Sequence, residues 1–364
     1  MKKILILEPY YGGSHKQFLD KIEGVVEADC LFMTLPARKW KMRMQLSAPW
    51  FVQSLGELLP EERFFDTVLC STFVDVAVLR ALVSSLKGWN PATLFCTYFH
   101  ENQFVYPNQE AAPDNRQFTA INFTTALASD RIAFNSVFNR QSFLESCRRY
   151  LSYASDMKLP RLLVELEEKS CVLYPGLDFT SIDAISLSPV PEAGAPVIVW
   201  NHRWEHDKNP EEFFAALTQL QSRGIAFRLI VLGQSFRNSP ACFAQAEVAF
   251  REEMIHFGYA ESYEAYAQLL QRADIVVSTA IHEFYGVAVI EAVRAGCVPL
   301  LPRRLSYPEL FAEEYLYDEG QLTNRLQSLL DEGGKVGSQQ AVAMTEGFSW
   351  TSLADAYRQW LLAE

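Results

Sequence analysis

With 364 residues, 49% of them hydrophobic, the chain is too long for one ordinary core and too apolar for disorder, and it suits two domains. A net charge of −12 disfavours adhesion to nucleic acid or anionic lipid through overall charge, while permitting a local basic patch. Seven scattered cysteines with no Cys-x-x-Cys pair exclude a disulfide frame and a thiolate zinc site, and read as reduced core thiols of a cytoplasmic protein.

The apolar run Ile4-Leu5-Ile6-Leu7 ends at Glu8, too short a core for a secretory leader, and no run approaches membrane-spanning length. Residues 3–8 predict a strand, followed by the turn Tyr10-Tyr11-Gly12-Gly13-Ser14-His15 and a helix. Buried runs at 30–35, 66–72, 93–99 and 131–135 predict further strands separated by helices. That alternation argues for a parallel sheet covered on both faces. Residues 188–196, with three prolines, a glycine and small residues, read as a linker. The alternation restarts with strands at 197–201, 228–233, 254–258, 274–279 and 298–301, and an amphipathic helix follows Ser349. The fold class is α/β: two Rossmann-like, doubly wound domains facing each other across a cleft. Their expected bounds are 1–190 and 191–345, with 346–364 a C-terminal helix packing back on the first domain.

The richest motif is His282-Glu283-Phe284-Tyr285-Gly286-Val287-Ala288-Val289-Ile290-Glu291. It sets one acid before a glycine and a second eight positions on, between a buried strand and a helix that is apolar nearly all round. A ligand site at the carboxyl end of a strand fits this pattern, and so does a buried structural ion pair beside a solvated loop acid. An ionised Glu291 on such a helix needs partners to offset its desolvation.

Arg203 and Lys208 lie on the loop between strand 197–201 and a helix for which Asn209, Pro210 and Glu212 supply N-cap, first residue and capping-box acid. Two cations at a helix start suit a diphosphate. His202 and His206 have metal-pair spacing but no third ligand nearby, so no metal is expected. Gly12-Gly13 permits close backbone approach without the Gly-x-Gly-x-x-Gly fingerprint, so no nicotinamide cofactor is indicated. His100 and Glu101 end a strongly apolar strand, where crevice residues lie. Arg38-Lys39-Trp40-Lys41-Met42-Arg43 places four cations in six residues around a tryptophan, a candidate nucleic-acid surface unless Trp40 packs inward. No Walker loop, nucleophile elbow, His-Glu-x-x-His or Asp-x-Asp occurs.

With these residues in view, the second half resembles the retaining family-4 glycosyltransferases of the GT-B fold, through Arg203…Lys208, Glu283…Glu291 and Ala295-Gly296-Cys297-Val298-Pro299. The first half is similar to the tRNA-queuosine mannosyltransferase family, through Leu7-Glu8-Pro9-Tyr10-Tyr11-Gly12-Gly13-Ser14-His15, Leu35-Pro36-Ala37-Arg38-Lys39-Trp40-Lys41 and Tyr98-Phe99-His100-Glu101-Asn102-Gln103, with Asn135-Ser136 and Tyr174-Pro175-Gly176-Leu177. The resemblance implies GDP-mannose as donor, and the cyclopentenediol of queuosine in tRNA as acceptor. It implies retention without a metal or resident cofactor, and neither DNA binding nor membrane insertion.

It further implies that Glu283 meets donor-sugar hydroxyls, that Glu291 takes the ribose diol, and that Arg203 and Lys208 hold the diphosphate. Backbone N–H groups of Tyr285, Gly286 and Val287 add donors, Gly13 allows close approach to the phosphates, and His100 touches the reacting sugar. On the acceptor side stand Arg38, Lys39, Trp40, Lys41, Arg43, His15 and Glu101. Two other readings remain open. One is a family-4 transferase using another nucleotide sugar on a small-molecule or glycolipid acceptor. The other is a noncatalytic tRNA- or nucleotide-binding protein on the same scaffold.

Overall fold

The computed structural model describes residues 1–106, 116–154, 156–185 and 194–362. Among the described residues the twelve strands are β1 (Lys3–Tyr11), β2 (Asp29–Pro36), β3 (Thr67–Ser71), β4 (Leu94–Phe99), β5 (Arg131–Phe134), β6 (Ser170–Val172), β7 (Val197–Asn201), β8 (Arg228–Leu232), β9 (Met254–Gly258), β10 (Ile275–Val277), β11 (Val298–Pro302) and β12 (Leu316–Tyr317). They form two six-stranded sheets, ordered β2-β1-β3-β4-β5-β6 and β12-β11-β10-β7-β8-β9, in which every paired neighbour is parallel. Among the described residues no helix is long and apolar enough to cross a membrane.

A parallel sheet must be covered on both faces, and β1 shows how the sequence achieves it. Successive side chains alternate faces. Ile4 and Ile6 join Phe18, Leu19 and Ile22 of the helix Gly13–Val26, whereas Leu5 and Leu7 join Phe51 and Leu55 of the helix Trp40–Glu57. In the second sheet Ile198 and Trp200 of β7 pack with Phe213 and Leu217 of the helix Pro210–Ser222.

The sequence reading did not anticipate β6 and β12. They are edge strands of three and two residues, too short to show a period. β10 is shorter than the expected 274–279. Beyond Val277 the Ser278 hydroxyl bonds the Tyr307 hydroxyl (2.7 Å), and the Thr279 hydroxyl donates to the Lys208 carbonyl (2.8 Å).

The chain divides into two compact units, Met1–Gly176 with Trp350–Glu364, and Leu177–Ser349. The division thus falls ahead of the 190/191 boundary expected from the linker 188–196, of which 188–193 lies outside the described residues. Local bonds explain the shift. Asp183 pairs with both arms of Arg294 (2.7 and 2.6 Å), and the Gln271 amide donates to the carbonyls of Ile182 and Ile185, so this segment is tied to the second unit. The helix Trp350–Leu362 belongs to the first unit. Its Trp350 and Tyr357 rings lie 5.6 and 5.7 Å from Phe18. The Thr67 hydroxyl and the Arg131 guanidinium donate to its last carbonyls, at Leu361 and Trp360. Gly176 leaves no room for a Cβ against the Trp350 indole.

Candidate active site

In the second sheet chain order reverses between β7 and β10, and such a switch point opens a crevice at the carboxyl ends of the strands. The loops after β7 and β10 meet there. Lys208 ends a short 3-10 turn, His206–Lys208, and its side chain is buried. Its ammonium donates to the His282 carbonyl (2.7 Å) and to Glu283 Oε2 (3.2 Å), and stands 3.4 Å from Asp207 Oδ2.

Glu283 Oε1 accepts from the N–H groups of Phe284 and Tyr285 (3.1 and 3.4 Å). Burial pushes the Glu283 carboxyl up, but the Lys208 ammonium outweighs it and holds the group at about 2. His202, buried beside them, is driven down to about 3 by burial and by that same ammonium, and so is neutral. Arg203 differs from Lys208: its side chain is half exposed and paired with Glu205 at 3.0 Å.

Gly286 starts the helix Val287–Arg294 at φ +116°, a region that disfavours side chains, and a Cβ there would stand 3.2 Å from the Tyr307 ring. One turn on, Glu291 is buried and accepts from the hydroxyls of Tyr263 (2.9 Å) and Tyr266 (2.6 Å). Tyr266 in turn accepts from the Asn201 amide (2.8 Å). Burial raises the Glu291 carboxyl even so. The two tyrosines were missed in the sequence, although Tyr263-x-x-Tyr266 puts both phenols on one helical face.

Two local expectations need correction. Asn209 does precede Pro210 at the helix start, but it sits at φ +50° and makes no side-chain cap; its amide donates to Glu212 Oε2 at 2.6 Å instead. His202 and His206 diverge: the first is buried, while the second is exposed and 4.0 Å from Glu211.

The first sheet has its own switch point, between β1 and β3. Four elements converge there: the end of β1 with Glu8, the first turn of Gly13–Val26 with His15, the end of β3 with Ser71 and Thr72, and the end of β4 with His100 and Glu101. His15 bridges the two acids, Nδ1 lying 2.9 Å from Glu8 Oε2 and Nε2 lying 3.3 Å from Glu101 Oε2. The Thr72 hydroxyl donates to Glu101 Oε1 (3.1 Å), and the Tyr10 N–H to Glu8 Oε1 (2.7 Å).

Burial opposes charge on His15, but Glu8 and then Glu101 overcome it and raise the imidazole to about 10, so it is an imidazolium at neutral pH. His100 lies 4.1 Å away, ring to ring, and burial together with the charged His15 holds it well below the usual histidine range, hence neutral. The Asn135 amide fixes the His100 carbonyl (2.7 Å). Gly13 has φ +54° and open space where a Cβ would be. Glu8 and Thr72 were not among the expected site residues. Glu8 betrays itself in sequence only as a charge closing an apolar strand.

The basic tract is the junction of β2 with the helix Trp40–Glu57. Arg38 and Lys39 are exposed; Trp40, Lys41 and Arg43 are half-buried. The Trp40 ring packs 5.1 Å from Phe118 and 6.4 Å from Phe73, with the Lys41 ammonium 5.7 Å from its own centroid.

Comparison with known proteins follows the same division. Residues 3–177 match a family model described as tRNA-queuosine alpha-mannosyltransferase N-terminal, and residues 183–343 match glycosyl transferases group 1. The tRNA-queuosine alpha-mannosyltransferase of Drosophila melanogaster is 36% identical over 331 residues, 89% of this chain and 85% of that one. The GDP-mannose:cellobiosyl-diphosphopolyprenol alpha-mannosyltransferase of Xanthomonas oryzae is 28% identical over 125 residues, 34% of this chain and 32% of that one. Among solved structures, Anabaena HepE in complex with UDP superposes with TM-score 0.70 at 14% identity over 98% of each chain. Sucrose-phosphate synthase of Thermosynechococcus elongatus does so with TM-score 0.70 at 14% identity over 99% of each. These likenesses establish the GT-B fold, and the near full-length relative establishes the rest: the chain is a glycosyltransferase and belongs to the tRNA-queuosine alpha-mannosyltransferase family.

Proposed function

We propose that this protein transfers mannose from GDP-mannose to the cyclopentenediol of queuosine in tRNA, with retention at the anomeric carbon. The observation that carries this reading is the 36% identity to a tRNA-queuosine alpha-mannosyltransferase across 89% of the chain. The Xanthomonas relative, whose name specifies GDP-mannose, supports the donor.

The second unit binds the donor. Lys208 and Arg203 take the diphosphate, Glu283 the sugar hydroxyls and Glu291 the ribose diol, with backbone N–H groups of Tyr285, Gly286 and Val287 at a helix N-terminus. Lys208 and Arg203 stabilise the charge that develops on the departing diphosphate, and that diphosphate helps to take the acceptor proton, so the enzyme's work is electrostatic and positional. The first unit carries the acceptor. Gly13 gives close backbone approach, His100 touches the reacting sugar as a neutral imidazole, and Glu101 and His15 lie on the acceptor side. Arg38, Lys39, Lys41 and Arg43 pair with tRNA phosphates beside Trp40.

Incubation with a panel of nucleotide sugars and bulk tRNA, followed by nucleoside mass spectrometry, tests this directly. The expected result is a hexose added to queuosine from GDP-mannose and from no UDP-sugar, with activity retained in EDTA. Transfer from another donor, or no change in queuosine with any donor, overturns the corresponding part of the proposal.

A further inference from the structure

The helix Trp40–Glu57 starts with its charges the wrong way round. Arg38 and Lys39 precede it, Lys41 and Arg43 lie at its start, and its first turn holds no acid. A helix N-terminus is the positive pole of the macrodipole, so cations there are disfavoured. Among the described residues none of the four takes part in an ion pair. Neither helix stability nor a carboxylate of this chain accounts for them, which leaves them for an anion from outside.

The outward face of the same helix carries an aromatic ring. Residues 44–56 hold no charge at all. Met44, Ala48, Phe51 and Leu55 turn inward. Met42, Leu46 and Trp50 recur at every fourth position on the opposite side and are 48%, 54% and 42% exposed. Gln45 and Gln53, also exposed, are interleaved with them. A lipid surface, or a tight seam with a second copy, wants a continuous apolar patch, and the amides break this one up. The mixture suits single-stranded nucleic acid, which offers phosphates to cations, base faces to an aromatic ring and base edges to amides. Trp40 is the anchor of the tract rather than its open ring, being half-buried against Phe118 (5.1 Å) and Phe73 (6.4 Å).

We propose that tRNA runs along the helix Trp40–Glu57, with phosphates at Arg38, Lys39, Lys41 and Arg43 and an unstacked base lying on Trp50. The direction follows from the fold. The tract begins where β2 ends, and Trp40 connects it to the switch point through Phe73, whose ring lies 5.4 Å from His15. Both β2 and β3 are parallel to β1, so the helix that joins them runs back toward the amino ends of the strands and carries Trp50 away from the crevice. Trp50 stands about 15 Å along the helix from Trp40. The base on Trp50 is therefore a neighbour of the modified nucleotide and not that nucleotide itself. The inference rests on the queuosine-tRNA reading above and deepens it.

The test is equilibrium binding of queuosine-modified tRNA to the full chain without donor, over a range of salt. Trp50→Ala should weaken binding at least about fivefold, the lower end of base–aromatic stacking. The slope against log salt should stay as in wild type, because no phosphate contact is lost. Trp50→Phe keeps a ring face and should recover most of the loss, and both variants should keep the wild-type urea midpoint and donor KM. Wild-type tRNA affinity in Trp50→Ala overturns the proposal, as does a loss that Trp50→Phe does not recover or that comes with a lower urea midpoint. If Trp50→Ala binds tRNA normally but loses self-association in sedimentation, or loses binding to phosphatidylserine vesicles, the face belongs to a second copy or to a lipid surface. Absence of tRNA binding by wild type overturns the proposal without any variant. Failure of the broader functional reading looks different: wild type adds no hexose to queuosine from any nucleotide sugar, while the effect of Trp50 on tRNA binding remains.

Discussion

The two switch points are built on the same charge plan with different groups. In the second unit a cation, Lys208, stands between Asp207 and Glu283, with a neutral histidine, His202, alongside. In the first unit a cation, His15, stands between Glu8 and Glu101, with neutral His100 alongside. Lysine brings its own charge, and it is the neighbours that respond: Glu283 is held at about 2. Histidine is charged at neutral pH only because the acids hold its proton, lifting it to about 10. One site has a permanent cation suited to a phosphate. The other has a conditional cation that serves its carboxylates.

Removing the cation is the strongest way to break the parallel. Lys208→Ala takes from Glu283 and Asp207 the ammonium they share, and breaking a buried pair costs about 3–5 kcal/mol. The expected outcome is a donor kcat/KM lower by about a hundredfold or more, with a lower urea midpoint. Arg203→Ala, at a half-exposed position, should cost donor use about tenfold and leave the urea midpoint unchanged. Equal effects of the two changes on stability would remove the distinction between them.

Glu291 sharpens the donor side. Glu291→Ala strips two phenol donors of their acceptor, so we expect donor KM to rise roughly tenfold and stability to fall by about 1–3 kcal/mol, read by urea denaturation. Wild-type donor KM in this variant would leave Glu291 a purely structural acceptor.

pH separates the two sites by sign. His15 has a folded value near 10 against 6.5 unfolded, so its contribution is complete below about 6.5 and is lost as pH rises toward 10. Glu283 has a folded value near 2 against 4.5, so its contribution holds above about 4.5 and is lost as pH falls toward 2. His202, near 3 against 6.5, adds to the acid-side loss from about pH 6.5 downward. Glu8→Gln removes the main support of the His15 charge. It should flatten the alkaline decline in urea midpoint between pH 7 and 10 while leaving the acid limb as in wild type. An unchanged alkaline limb would show that His15 is not a cation in the folded protein.

The smallest effect concerns the basic tract. A Lys39/Lys41/Arg43 triple alanine variant should keep GDP-mannose binding but lose tRNA affinity, with a shallower slope against log salt by up to about three phosphate contacts. An unchanged slope would take the tract out of the interface.

Most of the fold was legible because it rests on period and burial. Ile4–Leu7 and Val197–Trp200 are apolar on both faces, which only the centre of a parallel sheet requires. Strands β6 and β12 were not legible, since two or three residues at an edge carry no pattern. In the second site the spacing of Glu283, Gly286 and Glu291 marked one loop and one helix, so that part could be read. Thr72, Ser71, Tyr263 and Tyr266 could not, because they reach the sites from elements distant in sequence, and only the sheet order makes them neighbours. Asn209 shows the limit of a local rule. It has the residue type of a cap, but a left-handed backbone turns its amide onto Glu212.

The return of the helix Trp350–Leu362 to the first unit makes that unit discontinuous along the chain. During synthesis its sheet emerges ahead of the second unit, but the helix that covers Phe18 and Tyr98, and whose carbonyls accept from Thr67 and Arg131, leaves the ribosome only after that unit. The first unit therefore waits, with an apolar face uncovered, while about half the chain is made. A messenger truncated after the second unit would yield a protein with an intact second unit and an unfinished first unit, prone to aggregate rather than merely inactive.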